Sequence, residues 1–214
     1  MRTSALLVVG TVALGACAEP SSPVGLQPGW VKLSGTSYRF EAAGMPSFDG
    51  EAVVPATFAA AIVDSVAGVY ILAFDRNRAA DGDMFALRVA ERRTGTFAEC
   101  GLERSTTFAD GSTLTVPGNC QGYLIKGVEM LGDLTFRASG QWKIMAGSVV
   151  VTDAGQRFKG SVSHLRLEGW SADSSTHSIV IDEGSFDLPL LNGGAAAQMS
   201  TCFLQNALGR SCNY

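Results

Sequence analysis

Between Met84 and Ala90 apolar and polar positions alternate, with Phe85, Leu87 and Val89 on one side and Arg88 on the other. That period of two is the mark of a strand with one buried face. Val69 to Phe74 is instead a continuous apolar run, short enough for a strand buried on both faces. Similar short runs follow one another along the chain. They are Trp30–Leu33, Tyr38–Glu41, Ala52–Val54, Gly95–Phe97, Ser112–Val116, Gly122–Ile125, Leu134–Ala138, Trp142–Met145, Gly147–Thr152, Phe158–Glu168, Ser178–Ile181 and Ser185–Leu190. Thr57 to Ser65 is Ala-rich and fits either a helix or a strand. Turn signals fall roughly every 8 to 12 residues, the spacing of an all-β fold, and an antiparallel β-sandwich or partly closed barrel is expected.

The breaks between runs are polar. Asp49-Gly50 carries a hairpin signal, and Asp75 to Asp83 and Asp182-Glu183-Gly184 read as acidic turns. After Asn192-Gly193-Gly194 the chain becomes Ala-rich, and the stretch between Cys202 and Cys212 is expected to hold one short helical turn ending at Gly209.

The first residues follow a different pattern. Arg2 gives a positive start, Ala5 to Leu14 is an apolar run too short to span a bilayer, and Leu14-Gly15-Ala16-Cys17 closes it with small residues and a thiol. This resembles the lipobox signal peptide of bacterial lipoproteins. The resemblance implies cleavage after Ala16, lipidation of Cys17 and anchoring through acyl chains such as palmitate. One chain holds a membrane only marginally, so a stable anchor needs two or more. Ala18 rather than Asp after the cysteine favours the outer membrane. Residues 18–29 hold three prolines, two serines and two glycines, an extended tether. The expected organisation is a signal peptide over 1–16, a lipidated flexible tether over 17–29 and one all-β domain over 30–214.

Composition narrows the partners. Sixteen basic against twenty acidic side chains give a formal net charge of −4, with no basic patch, which argues against nucleic acid. There are five cysteines. Setting Cys17 aside for lipid leaves an even number, suited to two disulfides in an oxidising compartment. Of the three connectivities, the sequence-local one is preferred: Cys100 with Cys120, and Cys202 with Cys212.

Candidate chemistry is sparse. With two histidines and neither a Gly-x-Ser-x-Gly elbow nor a Ser-x-x-Lys, no hydrolytic motif is visible, and no cofactor motif is found. His164, Arg166 and Glu168 alternate with Leu165 and Leu167; they form either a small acid/base cluster or, preferably, the solvated face of a strand. Asp75, Asn77, Asp81 and Asp83 are weak calcium candidates, because their spacing departs from the known loop and Arg76 and Arg78 compensate the charge. Zinc is disfavoured for want of a Cys-x-x-Cys pair. Trp30, Trp142, Trp170 and Tyr123 could stack on a sugar, although packing is the commoner use of aromatics in small β domains. Phe203, Leu204 and Leu208 could form a partner-docking patch, with burial under a disulfide loop the simpler reading.

Met45 to Leu188 also resembles a family of small bacterial lipoproteins and secreted β domains with no assigned function. The resemblance rests on Phe48-Asp49-Gly50, Gly95-Thr96-Phe97, Ser139-Gly140 with Ser148 to Thr152, Phe158-Lys159-Gly160-Ser161, and Gly184-Ser185-Phe186. Ala52 and Val53 stand where family members often have a Trp, and Val162 where an aromatic is usual. The resemblance implies an all-β fold and brings no catalytic residue.

The expectation is a membrane-anchored lipoprotein with a non-catalytic structural or binding role in the cell envelope, on the periplasmic or the surface face. An envelope protein or a glycan is the conceivable partner. The alternative is a lipid-anchored hydrolase or carbohydrate-binding protein. A membrane-spanning barrel is disfavoured and would need long outward apolar faces.

Overall fold

A computed structural model describes residues 27–44, 57–63, 68–75, 82–130, 136–171 and 177–191. Within them the secondary structure is all β. In chain order the strands are β1 (Gly29–Ser34), β2 (Arg39–Gly44), β3 (Thr57–Val63), β4 (Val69–Asp75), β5 (Gly82–Val89), β6 (Gly95–Phe97) and β7 (Glu103–Thr107). Then come β8 (Thr113–Pro117), β9 (Cys120–Met130), β10 (Phe136–Arg137), β11 (Gly140–Ala154), β12 (Arg157–Ser171) and β13 (Ser178–Leu191). The Ala-rich stretch is strand β3, paired along its whole length with β4. Its alanines keep a β conformation because tertiary packing overrides their weak strand preference. Strand β7 has no counterpart in the sequence pattern, because ERSTT carries no apolar alternation to read. The Asp49-Gly50 turn, Ala52–Val54 and the Cys202–Cys212 stretch lie outside the described residues.

Hydrogen bonding closes seven strands into a ring, in the order β9-β5-β4-β3-β13-β12-β11 and back to β9. Each antiparallel neighbour reverses the strand direction. A ring with an odd number of strands therefore cannot be antiparallel throughout. The expectation of an antiparallel fold is corrected at one seam, where Leu190 and Leu191 of β13 run parallel to Ala61 and Ile62 of β3. Just below that seam, β13 lends the same edge to β1 from Glu183 to Asp187, and β1 carries β2 as a hairpin.

The interior is filled. One continuous apolar cluster draws residues from all seven ring strands, from Val69, Ile71, Phe85 and Leu87 on one side to Ile144, Leu165, Leu167 and Ile181 on the other. Val31, Leu33 and Phe40 of the hairpin join it, and the Phe40 and Phe85 rings lie 6.4 Å apart.

The three long strands each switch phase at mid-length. On β11 the buried positions change from Trp142 and Ile144 to Val149 and Val151. On β12 they change from Phe158 and Val162 to Leu165 and Leu167, and on β13 from Ile179 and Ile181 to Phe186 and Leu188. β11 is irregular against β12 between Ile144 and Ser148, Gly147 has φ 128° and His164 has φ 50°. Bulges of this kind bend a sheet and re-aim its side chains. The irregularity in β11 explains why it reads as two separate strands in the sequence, and the change of buried phase between Ile181 and Phe186 explains the same for β13. The acidic turn expected at Asp182-Glu183-Gly184 is corrected: these residues lie inside β13, where Glu183 and Gly184 pair with Ser163 and Val162 of β12. Gly184 is needed there because a β-carbon would come within 2.6 Å of Leu33 Cδ2 and 2.7 Å of Val162 Cγ2.

Candidate functional site

The polar groups that the fold gathers lie at one end of the ring. Asp75 closes β4 and faces Asp83 of β5 as a cross-strand pair. Both follow the inward phase of their strands, Asp75 after Ile71 and Ala73, Asp83 before Phe85 and Leu87. Tyr38, in the turn between β1 and β2, caps this mouth. Its hydroxyl donates to Asp83 Oδ2 at 2.6 Å, and the Gly127 N–H donates to Asp83 Oδ1 at 3.2 Å. Lys126 of β9 sets its ammonium 5.0 Å from the Tyr38 ring centre and 5.8 Å from that of Trp142, within cation–π range.

The electrostatics follow from this crowding. Asp75 is only 7 % exposed. Burial first, then the charge of Asp83, hold its carboxyl above the ordinary carboxylate range, and a hydrogen bond with Thr57 partly offsets them. Burial, and then the neighbouring Asp83, push the Tyr38 phenol far up, so it remains a proton donor at any ordinary pH. The cluster can do two things chemically. It stoppers the apolar interior with satisfied polar groups, and it holds one carboxyl, Asp75, with a raised proton affinity.

The calcium candidates divide. Asp75 and Asp83 meet, but Asn77 and Asp81 lie outside the described residues. Among the described residues no three His, Cys, Asp or Glu side chains are grouped to hold a metal. His164, Arg166 and Glu168 are exposed on β12, with Arg166 Nη2 3.5 Å from Glu168 Oε1. His164 occupies the bulge. Trp142 is interior and donates its indole N–H to the His177 carbonyl at 2.9 Å. Trp30 is half-buried with the Lys32 ammonium 6.0 Å from its ring centre, and Tyr123 is half-buried on the outer side of β9. Nothing is described of the Trp170 side chain.

Cys100 and Cys120 form a disulfide, with their Cα atoms 4.5 Å apart, as the sequence-local pairing expects. It closes the base of the β7–β8 hairpin. At the tip, Ser112 donates from its N–H and its hydroxyl to Asp110 Oδ1, at 2.9 and 2.6 Å. This braced turn carries Phe108, 51 % exposed. Lys143 of β11 ties the hairpin down through Glu103 at 2.7 Å. Cys17, Cys202 and Cys212, with Phe203, Leu204 and Leu208, lie outside the described residues. An open groove of about 400 Å³ runs along β1, β2 and β13 between Lys32, Arg39, Glu41 and Glu183.

Sequence reasoning missed Tyr38, Lys126 and Arg157. Arg157 pairs with Asp187 across β12 and β13, and also donates to the carbonyls of Gln27 and Pro28 at 3.1 and 3.2 Å. These are single residues on separate strands, and no local pattern marks them.

Comparison with protein-family models, with curated proteins and with solved structures gives no match to this chain.

Proposed function

We propose that this chain is a lipid-anchored envelope protein, held through Cys17, whose β domain has a non-catalytic structural or binding role. The observation that carries the reading is the clamp at Arg157. Its guanidinium grips the backbone at Gln27 and Pro28, where the Pro-rich stretch after Cys17 enters β1, and ties it to Asp187. Such charge-assisted, multidentate bonding suits a junction that must pass tension from a membrane anchor into a rigid fold. The buried Cys100–Cys120 disulfide supports an oxidising compartment. The seven-stranded ring is best read as a barrel stoppered by side chains, because one cluster touches every ring strand.

The test is metabolic labelling with palmitate, combined with inhibition of lipoprotein signal peptidase and membrane fractionation. Label should enter the wild type and be lost in Cys17→Ser, and the inhibitor should make the precursor accumulate. The mature form should sediment with the outer membrane. Processing unchanged by the inhibitor, or a soluble unlabelled mature form, overturns the reading.

A further inference from the structure

We propose that the outer face of β3, β4, β5 and β9 is the seat of this chain's own carboxyl-terminal segment, residues 192–214. Strand alternation puts Ile62, Leu72, Phe74, Met84, Ala86 and Ile125 outside the ring, in clusters separate from the interior one. None of them is more than 3 % exposed. Side chains that project from an uncovered sheet are shielded at their flanks but open on top. Burial this complete needs a second layer. The described side chains packed against these clusters are Phe58, Tyr70, Tyr123, Ala138 and Leu191, all from the same sheet or its margin. Among the described residues no apolar side chain from a second layer packs against these clusters.

Two observations assign that layer. Leu191, the last described residue before this segment, pairs with Ile62 and packs against the cluster of Ile62, Leu72 and Ala86, at the margin of this face. Their sequence also suits an apolar seat. Residues 192–214 contain Met199, Phe203, Leu204, Leu208 and four alanines, and Arg210 is their only charged side chain. Reach is no obstacle. Four strands at about 4.8 Å spacing span roughly 15 Å, and even at the helical rise of about 1.5 Å per residue half of the segment crosses them. The Cys202–Cys212 pairing expected from the sequence would close Phe203, Leu204 and Leu208 into a loop of fixed shape over the sheet. The outer side of β11–β13 differs: His164, Arg166, Glu168, Asp182 and Glu183 are exposed there, so no apolar band encircles the ring as a membrane-spanning barrel requires.

The experiment uses the full chain with p-benzoylphenylalanine in place of Tyr70, which is half-buried on this face. After irradiation and digestion, the principal cross-linked peptide should come from residues 195–214. Linkage chiefly to residues before Gln27, to 45–56, to a second copy, to lipid or to another protein overturns the proposal, and so does the absence of any linkage to 195–214. A companion variant, Phe203→Glu with Leu204→Glu, should raise binding of a hydrophobic dye several-fold while the Cys100–Cys120 disulfide still forms. Dye binding equal to that of the unaltered chain also overturns it.

Discussion

The long strands and the short strands of the ring make two sheets of opposite character. β11, β12 and β13 are 15, 15 and 14 residues long, apolar inward and polar outward, and each changes its buried phase near its middle, with β11 and β12 irregular there. β3, β4 and β5 are half that length and apolar on both faces, with Ile71, Ala73 and Leu87 inside and Ile62, Leu72 and Ala86 outside. One ring of strands can therefore carry two kinds of strand. A sheet that meets water must alternate, and its polar face can hold bulges and charged side chains at little cost. A sheet covered on both sides needs apolar residues at every position, and it can be short.

The severest challenge to this contrast is to truncate a leucine on each face of the short sheet. Leu87→Ala, inside the ring at 0 % exposure, should cost about 2–5 kcal/mol in chemical denaturation. Leu72→Ala, outside it, should fall in the same range of about 2–5 kcal/mol if that face is covered. A Leu72→Ala cost near zero would make the two sheets alike. Next in size is the staple: replacing Cys100 and Cys120 together with Ser should lower stability by about 2–4 kcal/mol, read by the same denaturation with unchanged far-ultraviolet circular dichroism.

The stopper at the mouth of the short strands offers a finer probe. Tyr38→Phe removes a buried donor from Asp83 and should cost about 1–3 kcal/mol. Asp75→Asn should act in the opposite sense. Because the folded protein raises this carboxyl above its ordinary value of 3.8, the protonated form favours the fold. Its contribution is complete below that ordinary value and is lost as pH rises through the folded value. The amide of the Asp75→Asn variant stays neutral at every pH. The variant should therefore melt higher than wild type near pH 7, and the gap should close as pH falls below about 4. A gap that widens in acid would overturn the assignment. The smallest effect belongs to the long sheet's outer face: Val180→Ala, at a position 38 % exposed, should change stability by no more than about 0.5 kcal/mol.

How legible this was depended on distance along the chain. The alternation of Met84–Ala90 and the unbroken apolar run Val69–Phe74 both became strands, the second buried on both faces as its pattern implied. The Cys100–Cys120 bridge could be anticipated because its partners flank a single hairpin. His164, Arg166 and Glu168 lie on the solvated face their spacing suggests. Reading β13 as two strands failed at Asp182-Glu183-Gly184, since these polar residues mark a change of the buried face within one continuously paired strand and not a turn. The cluster at the mouth was legible only in part. Asp75 and Asp83 stood out as acidic neighbours, but Tyr38 and Lys126 come from parts of the chain that only ring closure brings beside them.

The amino-acid order was enough to set the β class, the spacing of the strands, the disulfide closing the β7–β8 hairpin and the polar side of β12. Each of these depends on residues close enough to share a local period or one turn. The parallel seam between β13 and β3, the shared change of buried phase in the long strands, and the meeting of Tyr38, Asp75 and Asp83 arise only in the assembled fold. Closing an odd ring of strands imposes a direction, a register and a set of neighbours that no strand encodes alone.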